Sequence, residues 1–318
     1  MPCQPKTGII EMDDTPTPSD SGAEPETFET NPLADTAVPE NTPQTITTGL
    51  IKTDNAALNK EPSMRFAKRC HQGAVRDRNE DSSFIFVSET GGDHIIQPFG
   101  LYIVADGMGG HQHGDEASKI ASRIAGQRVL SDIYLPMLRD EGRPSAPIQE
   151  VLVQAVQAAN RAVYESDPES DRGTTLTAAL VLGRRLYVAH VGDSRLYLHT
   201  NDKLETITHD HSLVQQLQDV GHEPDEATMF RYGHVLLRAV GQDEELEVDT
   251  YTRSLPRAGK LLLCSDGLIG RGLVTEPEIE EILSAKTSLQ SMADTLFERA
   301  MDAGGYDNIT AVVVSFDL

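Results

Sequence analysis

The sequence predicts an α+β fold in which mostly antiparallel sheets are covered by helices. Short apolar runs typical of strands occur in clusters, and residues with helical periodicity occur in separate blocks. The two alternate without the regular rhythm of parallel βαβ units, which favours antiparallel sheets. With 318 residues, 38% of them hydrophobic, the chain is long enough for one large domain with a sizeable core, or for two ordinary ones.

The predicted strands are short and apolar. They are residues 83–88 and 100–105, followed by the runs TLTAALVL, RLYVAHVGD, SRLYLHT, LLLCSD and TAVVVSF. Because RRLYV and SRLYL are separated by a Gly-Asp turn, we expect these two runs to be neighbouring antiparallel strands.

Helical spacing begins after Gly114, where apolar residues recur three or four positions apart at Ala117, Ile120, Ala121 and Ile124. A second helix is predicted over residues 148–165. Two more are predicted over 211–220, ending at Gly221, and over 288–303, closed by Gly304 and Gly305. No fixed-period repeat is present.

Residues 1–62 differ in character from the rest of the chain. They contain 11 acidic and three basic residues, and nine of the 17 prolines. A Pro- and Thr-rich acidic segment with few aromatics buries too little apolar surface to offset its chain entropy, so we expect it to be a disordered extension. It would act as a solubilising or a regulatory tail, with the globular domain over residues 63–318.

Charge, cysteine content and hydropathy argue against several classes of protein. The formal charge is −23, whereas nucleic-acid binding relies on Lys and Arg, so we expect no nucleic-acid partner. The three cysteines (Cys3, Cys70 and Cys264) form no close CxxC pair, which argues against a disulfide framework or a cysteine zinc site. No apolar run of about 18 residues and no apolar signal core is present. We therefore expect a soluble cytoplasmic protein without a membrane span.

Three aspartates share one local setting at the ends of apolar strands. Asp106 follows LYIVA, Asp266 follows LLLCS, and Asp307 shortly precedes TAVVV. Taken singly, each is an ordinary turn residue. Together with Glu80 and Asp81 they would repel one another if gathered, and a divalent cation with a preference for hard oxygen ligands would remove that conflict.

Eight segments between about residues 70 and 318 occur in a characteristic order: GAVRDRNEDS, VADGMGGHQHGDEAS, GTTLTAALV, VAHVGDSRLYL, THDHSLVQQL, LRAVG, LLLCSDGL and GGYDNITAVVV. In these segments and their order the chain resembles the protein phosphatase 2C family of metal-dependent serine/threonine phosphatases, and most closely its bacterial branch. The resemblance implies a four-layer α-β-β-α sandwich, in which two antiparallel sheets pack face to face with helices outside.

The resemblance also implies a role for each matching residue. Asp106 would bridge two Mn²⁺ or Mg²⁺ ions, with Glu80 and the carbonyl of Gly107 on one ion and Asp266 and Asp307 on the other. Further residues have supporting roles: Asp193 would help to bind a third, weaker ion, Asp81 and Asn308 would lie in the second shell, and Arg76 would bind the substrate phosphate.

The implied reaction is hydrolysis of a phosphoserine or phosphothreonine monoester by a metal-bridging hydroxide. Two metal ions suit this chemistry because they clamp the attacking and leaving oxygens. Arg76 can make paired hydrogen bonds to phosphate. The implied partners are phosphoproteins, either the substrates of a serine/threonine kinase or a cognate kinase itself, and the protein is expected to be a monomer.

Some positions depart from the family pattern. Met108 stands where eukaryotic relatives often carry a histidine that is a candidate general acid, so the proton donor is unassigned, with His111, His113 or a metal-bound water as alternatives. Arg172 and Cys70-His71 also differ from the family pattern, but neither change alters a predicted metal ligand.

Residues 208–241 correspond to a mobile flap in relatives, and we hypothesise that the flap contacts substrate through Arg231, Tyr232 and Arg238.

Three other interpretations are open. Cys70 and Arg76 fit the C-x-x-G-x-x-R spacing of cysteine-dependent phosphatases, although those require a helix after the arginine and this sequence leads into a strand. A non-catalytic phosphoprotein-binding module would have lost metal ligands, and this chain keeps them. A phosphatase of an anti-sigma system on a related fold would match these motifs less fully.

Overall fold

The computed structural model describes residues 62–89, 97–109, 113–139, 142–144, 146–168 and 171–318. The predicted N-terminal extension, apart from residue 62, lies outside the described residues. Within them the chain forms two antiparallel sheets flanked by helices, so the predicted fold class is confirmed.

The first sheet has five strands in the order β1-β11-β10-β7-β8, each antiparallel to its neighbours. These strands are β1 Ser63–His71, β7 Arg195–Thr200, β8 Lys203–Thr206, β10 Ala258–Cys264 and β11 Ile309–Asp317. The two central strands, β10 and β11, carry nearly continuous apolar residues, which is the pattern expected when both faces of a sheet are covered.

The second sheet has the order β2-β3-β5-β6-β9, with the short β4 paired to the end of β3. Its strands are β2 Asp81–Ser88, β3 Phe99–Met108, β4 Gly173–Thr174, β5 Leu176–Leu182, β6 Arg185–Val191 and β9 Asp249–Ser254. Here too every pairing is antiparallel.

The longer helices form the outer layers, and shorter ones lie in the connections. The described residues contain eight α-helices: α1 Gly114–Val129, α2 Leu135–Met137, α3 Ile148–Ser166, α4 Leu213–Asp219, α5 Glu226–Tyr232, α6 Asp266–Ile269, α7 Glu276–Ser284 and α8 Leu289–Asp302. A π-helical turn, Leu130–Tyr134, joins α1 to α2. Ser212 and Ser288 cap α4 and α8 by accepting hydrogen bonds from backbone N–H groups.

Three apolar clusters confirm the four-layer arrangement. One lies between the two sheets and includes Tyr102, Val188, Leu263 and Val314. A second packs α1 and α3 on the outer face of the second sheet, and a third packs α7 and α8 on the outer face of the first. Each sheet therefore buries both faces, and its strand ends are left as the places where polar side chains gather.

The predicted pairing of RRLYV with SRLYL is wrong. These runs form β6 and β7, which lie in different sheets: β6 pairs with β5 and β9, and β7 pairs with β8 and β10. Ser194 holds the connection to the second sheet, because its hydroxyl bonds to Thr175 at 2.7 Å and its carbonyl accepts from Thr177 at 3.1 Å. The Gly-Asp turn is thus a crossover between sheets, and the chain passes from one layer to the other at Asp193.

In the part of the chain described here, no helix is both long enough and apolar enough to cross a membrane.

Candidate active site

The site begins where β2 and β3 lie side by side. Asp81, the first residue of β2, is in register with Asp106 near the end of β3, and Glu80 directly precedes Asp81. The N–H of Gly107 donates to the carbonyl of Glu80 at 3.2 Å. A Cβ at Gly107 would lie 2.1 Å from the carbonyl oxygen of Gly114, so only glycine allows the start of α1 to pack against these strands.

Asn308 joins the Glu80 segment to the start of β11. Its side-chain Oδ1 accepts from the N–H of Glu80 at 2.7 Å, while Nδ2 donates to the carbonyls of Gln72 at 3.1 Å and Arg78 at 2.7 Å. Its own N–H donates to Oδ1 of Asp307 at 2.8 Å. Asn308 therefore contacts two of the predicted metal ligands: its side-chain amide holds Glu80, and its backbone N–H holds Asp307.

Asp266 comes from the facing sheet, at the turn between β10 and α6. The preceding Ser265 donates its hydroxyl to Oδ2 of Asp81 at 2.8 Å, which links the two sheets at this edge. A Cβ at Gly267 would lie 1.9 Å from the carbonyl oxygen of Asn308. The turn that carries Asp266 is thus in direct contact with the segment that carries Asp307.

Asp193 reaches the site from the crossover between β6 and β7, where it is buried. Thr175 connects this crossover to β3: its hydroxyl accepts from the N–H of Asp106 at 2.9 Å and bonds to the hydroxyl of Ser194 at 2.7 Å. The crossover therefore holds Asp193 in the same region as Asp106.

The negative charges of these carboxylates raise one another's pKa values. Burial raises the pKa of Asp106 well above its usual value, and the charges of Asp81, Asp266, Asp193 and Asp307 raise it further. Burial likewise raises the pKa of Asp81 to about 7 and that of Asp266 to about 6. These groups share one poorly solvated space, and their mutual repulsion makes it a place where a cation or a proton is stabilised.

Arg76 provides the positive charge in this region. Its Nη2 lies 2.6 Å from Oδ2 of Asp307, and its side chain is half exposed. Burial lowers the pKa of Arg76, but the hydrogen bond and charge of Asp307, together with the charges of Glu80 and Asp106, outweigh this effect and raise it. The guanidinium therefore stays charged at the mouth of the carboxylate cluster.

The donor set suits a hard divalent cation. It consists of carboxylate and carbonyl oxygens, and Oδ1 of Asp81 is buried without a hydrogen-bond partner among the described residues. In the same part of the chain, no three Asp, Glu, His or Cys side chains are already arranged to hold a metal ion. Cation binding would therefore require side-chain adjustment, and the pairing of Asp307 with Arg76 is one contact that would have to change.

The structure brings the predicted site residues together at one edge of the sandwich. They are Arg76, Glu80, Asp81, Asp106, Gly107, Asp193, Asp266, Asp307 and Asn308. Two further contributors were not predicted from the sequence. The hydroxyls of Thr175 and Ser265 position the carboxylates, and Arg195 forms a bidentate pair with Asp210 at 2.8 to 3.1 Å. All four residues lie within the motifs that carry the family resemblance, and this position in the motifs could have indicated them.

The structure does not favour a cysteine nucleophile. Cys70 lies in β1 opposite Thr310, and its Sγ accepts from the side chains of Asn79 at 3.1 Å and Thr310 at 3.2 Å. The segment after Arg76 enters β2 and forms no helix, so the helix that a cysteine-dependent site requires after its arginine is not formed.

Of the candidate proton donors, His113 is half exposed and its Nδ1 lies 4.0 Å from Oδ2 of Asp167, and His111 lies outside the described residues.

A cleft of about 640 Å³ extends from the carboxylates toward the predicted flap. Asp193, Asp266 and Asp307 line this cleft, and Met229, Gly233 and His234 line it from the flap. The three flap residues expected to contact substrate are not among its lining residues. One of them, Arg238, is paired instead with Asp249 at 2.8 Å.

Comparisons with known proteins agree with this arrangement. The model of a family described as protein phosphatase 2C matches residues 76–308. The serine/threonine phosphatase stp of Listeria monocytogenes is 39% identical over 258 residues, which are 79% of this chain and 95% of the relative. The serine/threonine protein phosphatase PstP of Mycobacterium tuberculosis is 36% identical over 259 residues, which are 79% of this chain and 44% of the relative.

A solved structure agrees as well. The crystal structure of the catalytic domain of PstP in complex with two manganese ions has a TM-score of 0.64 and 33% identity, and the match covers 80% of this chain and 98% of that one. The family match spans most of the chain, in agreement with the fold and with the residues gathered at its edge. The chain belongs to the protein phosphatase 2C family.

Proposed function

We propose that this chain is a metal-dependent serine/threonine phosphoprotein phosphatase that hydrolyses phosphoserine and phosphothreonine monoesters. The observation that carries the proposal is the convergence of buried and half-buried carboxylates from both sheets on one edge, beside the half-exposed guanidinium of Arg76. The names of the relatives support it, since stp and PstP are both serine/threonine phosphatases.

The carboxylates would hold two Mn²⁺ or Mg²⁺ ions. Asp106 would bridge them, with Glu80 and the carbonyl of Gly107 on one side and Asp266 and Asp307 on the other; a third, weaker ion would lie at Asp193. When bound, such ions supply an activated water and neutralise negative charge on the phosphate oxygens.

The other polar residues have separate tasks. Arg76 would turn from Asp307 toward the substrate and donate paired hydrogen bonds to the phosphate, which the planar guanidinium allows. Asp81 would hold metal-bound waters in the second shell, and its Oδ1 has no hydrogen-bond partner among the described residues that would compete for this role. Asn308 would maintain the position of Glu80 through its hydrogen bond to the Glu80 N–H.

We also propose the setting in which the protein acts. Residues 63–318 would be the catalytic domain, and residues 1–62 an acidic extension. The partners would be phosphoproteins, because the reaction consumes the product of a serine/threonine kinase or acts on the kinase itself. The protein would work as a monomer in the cytoplasm, and size-exclusion chromatography tests its oligomeric state.

The test is hydrolysis of p-nitrophenyl phosphate by the wild type and by Asp106→Asn, Asp266→Asn and Cys70→Ser. Mn²⁺ should activate the wild type and EDTA should abolish its activity. Each aspartate variant should lose on the order of 100-fold or more in kcat, whereas Cys70→Ser should stay active. Loss in Cys70→Ser with survival of both aspartate variants would overturn the mechanism. Phosphopeptide binding without any turnover would indicate a non-catalytic module.

A further inference from the structure

The cleft beside the carboxylates is larger than a phosphate group requires. Its volume of about 640 Å³ falls within the range of roughly 300–1,000 Å³ that is typical of sites for whole small molecules. Asp193, Asp266 and Asp307 form only a small part of its lining. The remaining space is therefore available to the part of a phosphoprotein that flanks the phosphorylated residue.

Apolar residues form part of the cleft lining, which we call the apolar wall. They include Ile269 at the end of α6, and Leu273 and Val274 before α7. Val214 in α4 and Met229 in α5 line the cleft as well, from the flap. Phosphate itself gains nothing from such a surface, whereas an apolar side chain placed against it would be removed from water.

Tyr306 gives this wall an exposed aromatic edge. It directly precedes Asp307, lines the cleft and is 53% exposed. Its ring rests on Gly304, where an added Cβ would lie 2.4 Å from the ring atoms. A large aromatic side chain that is held in position yet remains exposed is the kind of residue that contributes most to peptide recognition.

The charges in the cleft argue against acidic flanking residues. Of the two arginines among its described lining residues, Arg195 is paired with Asp210, and Arg76 is the residue proposed to leave Asp307 for the phosphate, so neither is available to an acidic flanking residue. Glu276 adds a further carboxylate to the lining. An acidic side chain entering the cleft would therefore meet like charge, while an apolar one would meet the apolar wall.

We propose that this cleft is a selectivity site that seats an apolar side chain close to the phosphorylated residue of the substrate, with Tyr306 as its outer wall. The inference rests on the proposed function, and it adds the class of sequence that the phosphatase prefers. Tyr306 is a specificity-determining residue in this scheme, because its ring contacts the flanking side chain and leaves the reaction to the carboxylates.

The test uses phosphothreonine peptides that differ only at the two positions on either side of the phosphothreonine. Each position carries Leu, Gln or Glu in turn, and kcat/KM is measured with Mn²⁺. At one or more positions Leu should exceed Gln by about tenfold, and Glu should be the poorest. Tyr306→Ala should reduce the Leu preference to less than about threefold, and Tyr306→Phe should retain it because the ring is kept. The matched control Phe66→Ala, which removes an exposed aromatic of β1 outside the cleft, should keep the wild-type preference.

Three outcomes count against the inference. Equal kcat/KM for the Leu, Gln and Glu peptides, with p-nitrophenyl phosphate hydrolysis intact, would overturn this inference alone. An unchanged Leu preference in Tyr306→Ala would also overturn it, and thermal unfolding of the variant would verify that the domain is folded. Absence of Mn²⁺-dependent hydrolysis of p-nitrophenyl phosphate would overturn the proposed function together with this inference.

Discussion

Arg76 donates a hydrogen bond of 2.6 Å to Oδ2 of Asp307, a residue 231 positions further along the chain. The other oxygen of the same carboxylate accepts from the N–H of Asn308 at 2.8 Å. The guanidinium is thereby held beside a predicted metal ligand, where it can meet a phosphate that approaches the carboxylate cluster. Its half-exposed position leaves it free to exchange one oxyanion partner for another.

Arg76→Lys tests the geometry of this contact. Lysine keeps the charge but presents a single point donor, so the paired hydrogen bonds to phosphate would be lost. We expect kcat/KM for a phosphothreonine peptide to fall by about 10- to 100-fold. Steady-state kinetics measure the change. Arg253→Lys, at an exposed arginine that pairs with Glu205, is the matched control and should behave as the wild type. Equal losses in the two variants would contradict the prediction.

Asn308→Asp tests the amide that joins β11 to the Glu80 segment. An aspartate can still accept from the Glu80 N–H but cannot donate to the carbonyls of Gln72 and Arg78. Because this site is buried, the free energy of unfolding should fall by about 2–4 kcal/mol, as measured by urea denaturation. Calorimetric titration should also show weaker Mn²⁺ binding. Gln290→Ala, which removes an exposed amide bonded only to Asp294, should change neither quantity.

Asp81 makes the stability of the metal-free protein depend on pH. Burial raises its pKa to about 7 from its usual 3.8, so the folded state keeps a proton that the unfolded chain releases above about pH 4. The free energy of unfolding should therefore fall as the pH rises through this window, by at most about 4 kcal/mol.

Asp81→Asn resembles the protonated form, so it should reduce this pH dependence and stabilise the protein at pH 8. Asp106 and Asp266, whose pKa values are also raised by burial, should carry the rest of the slope. Urea unfolding in EDTA from pH 5 to pH 8 provides the measurement. Asp225→Asn, at an exposed residue that caps α5, should keep the wild-type slope. A slope as steep in Asp81→Asn as in the wild type would show that Asp81 does not contribute to the pH dependence.

Gly267→Ala and Gly270→Ala form a matched pair in the same turn. A Cβ at Gly267 would lie 1.9 Å from the carbonyl oxygen of Asn308, whereas one at Gly270 would have its nearest neighbour at 3.7 Å. Gly267→Ala should therefore destabilise the domain by about 3 kcal/mol or more, and Gly270→Ala by less than about 1 kcal/mol. Thermal unfolding distinguishes the two variants. Similar melting temperatures would contradict the prediction, because they would show that the backbone can shift at little cost to admit a Cβ at Gly267.

Much of the fold was predictable because local patterns are strong in this chain. The apolar runs that became β5, β10 and β11 have the length and composition of buried strands, and helical periodicity located α1 and α3. Gly221 and Gly304 follow α4 and α8 as helix-ending residues should. The predicted family is confirmed as well, since eight ordered motifs are more specific than any single one.

Strand pairing was less predictable. The turn between β6 and β7 reads locally like a hairpin, yet it carries the chain from one sheet to the other. Which strands pair depends on how both sheets bury their apolar faces, and a turn sequence contains no information about those distant partners.

The sequence by itself determined seven of the described strands, four of the described helices, the family and the identity of the carboxylates at the strand ends. Only the tertiary structure decided that Asp81 faces Asp106 in register, that Asn308 holds Glu80, and that Cys70 is a strand residue bonded by Asn79 and Thr310. The physical reason is one of range. Backbone preference and periodicity act over a few residues. The repulsion among Asp106, Asp266 and Asp307 exists only because packing of the two sheets brings their strand ends together.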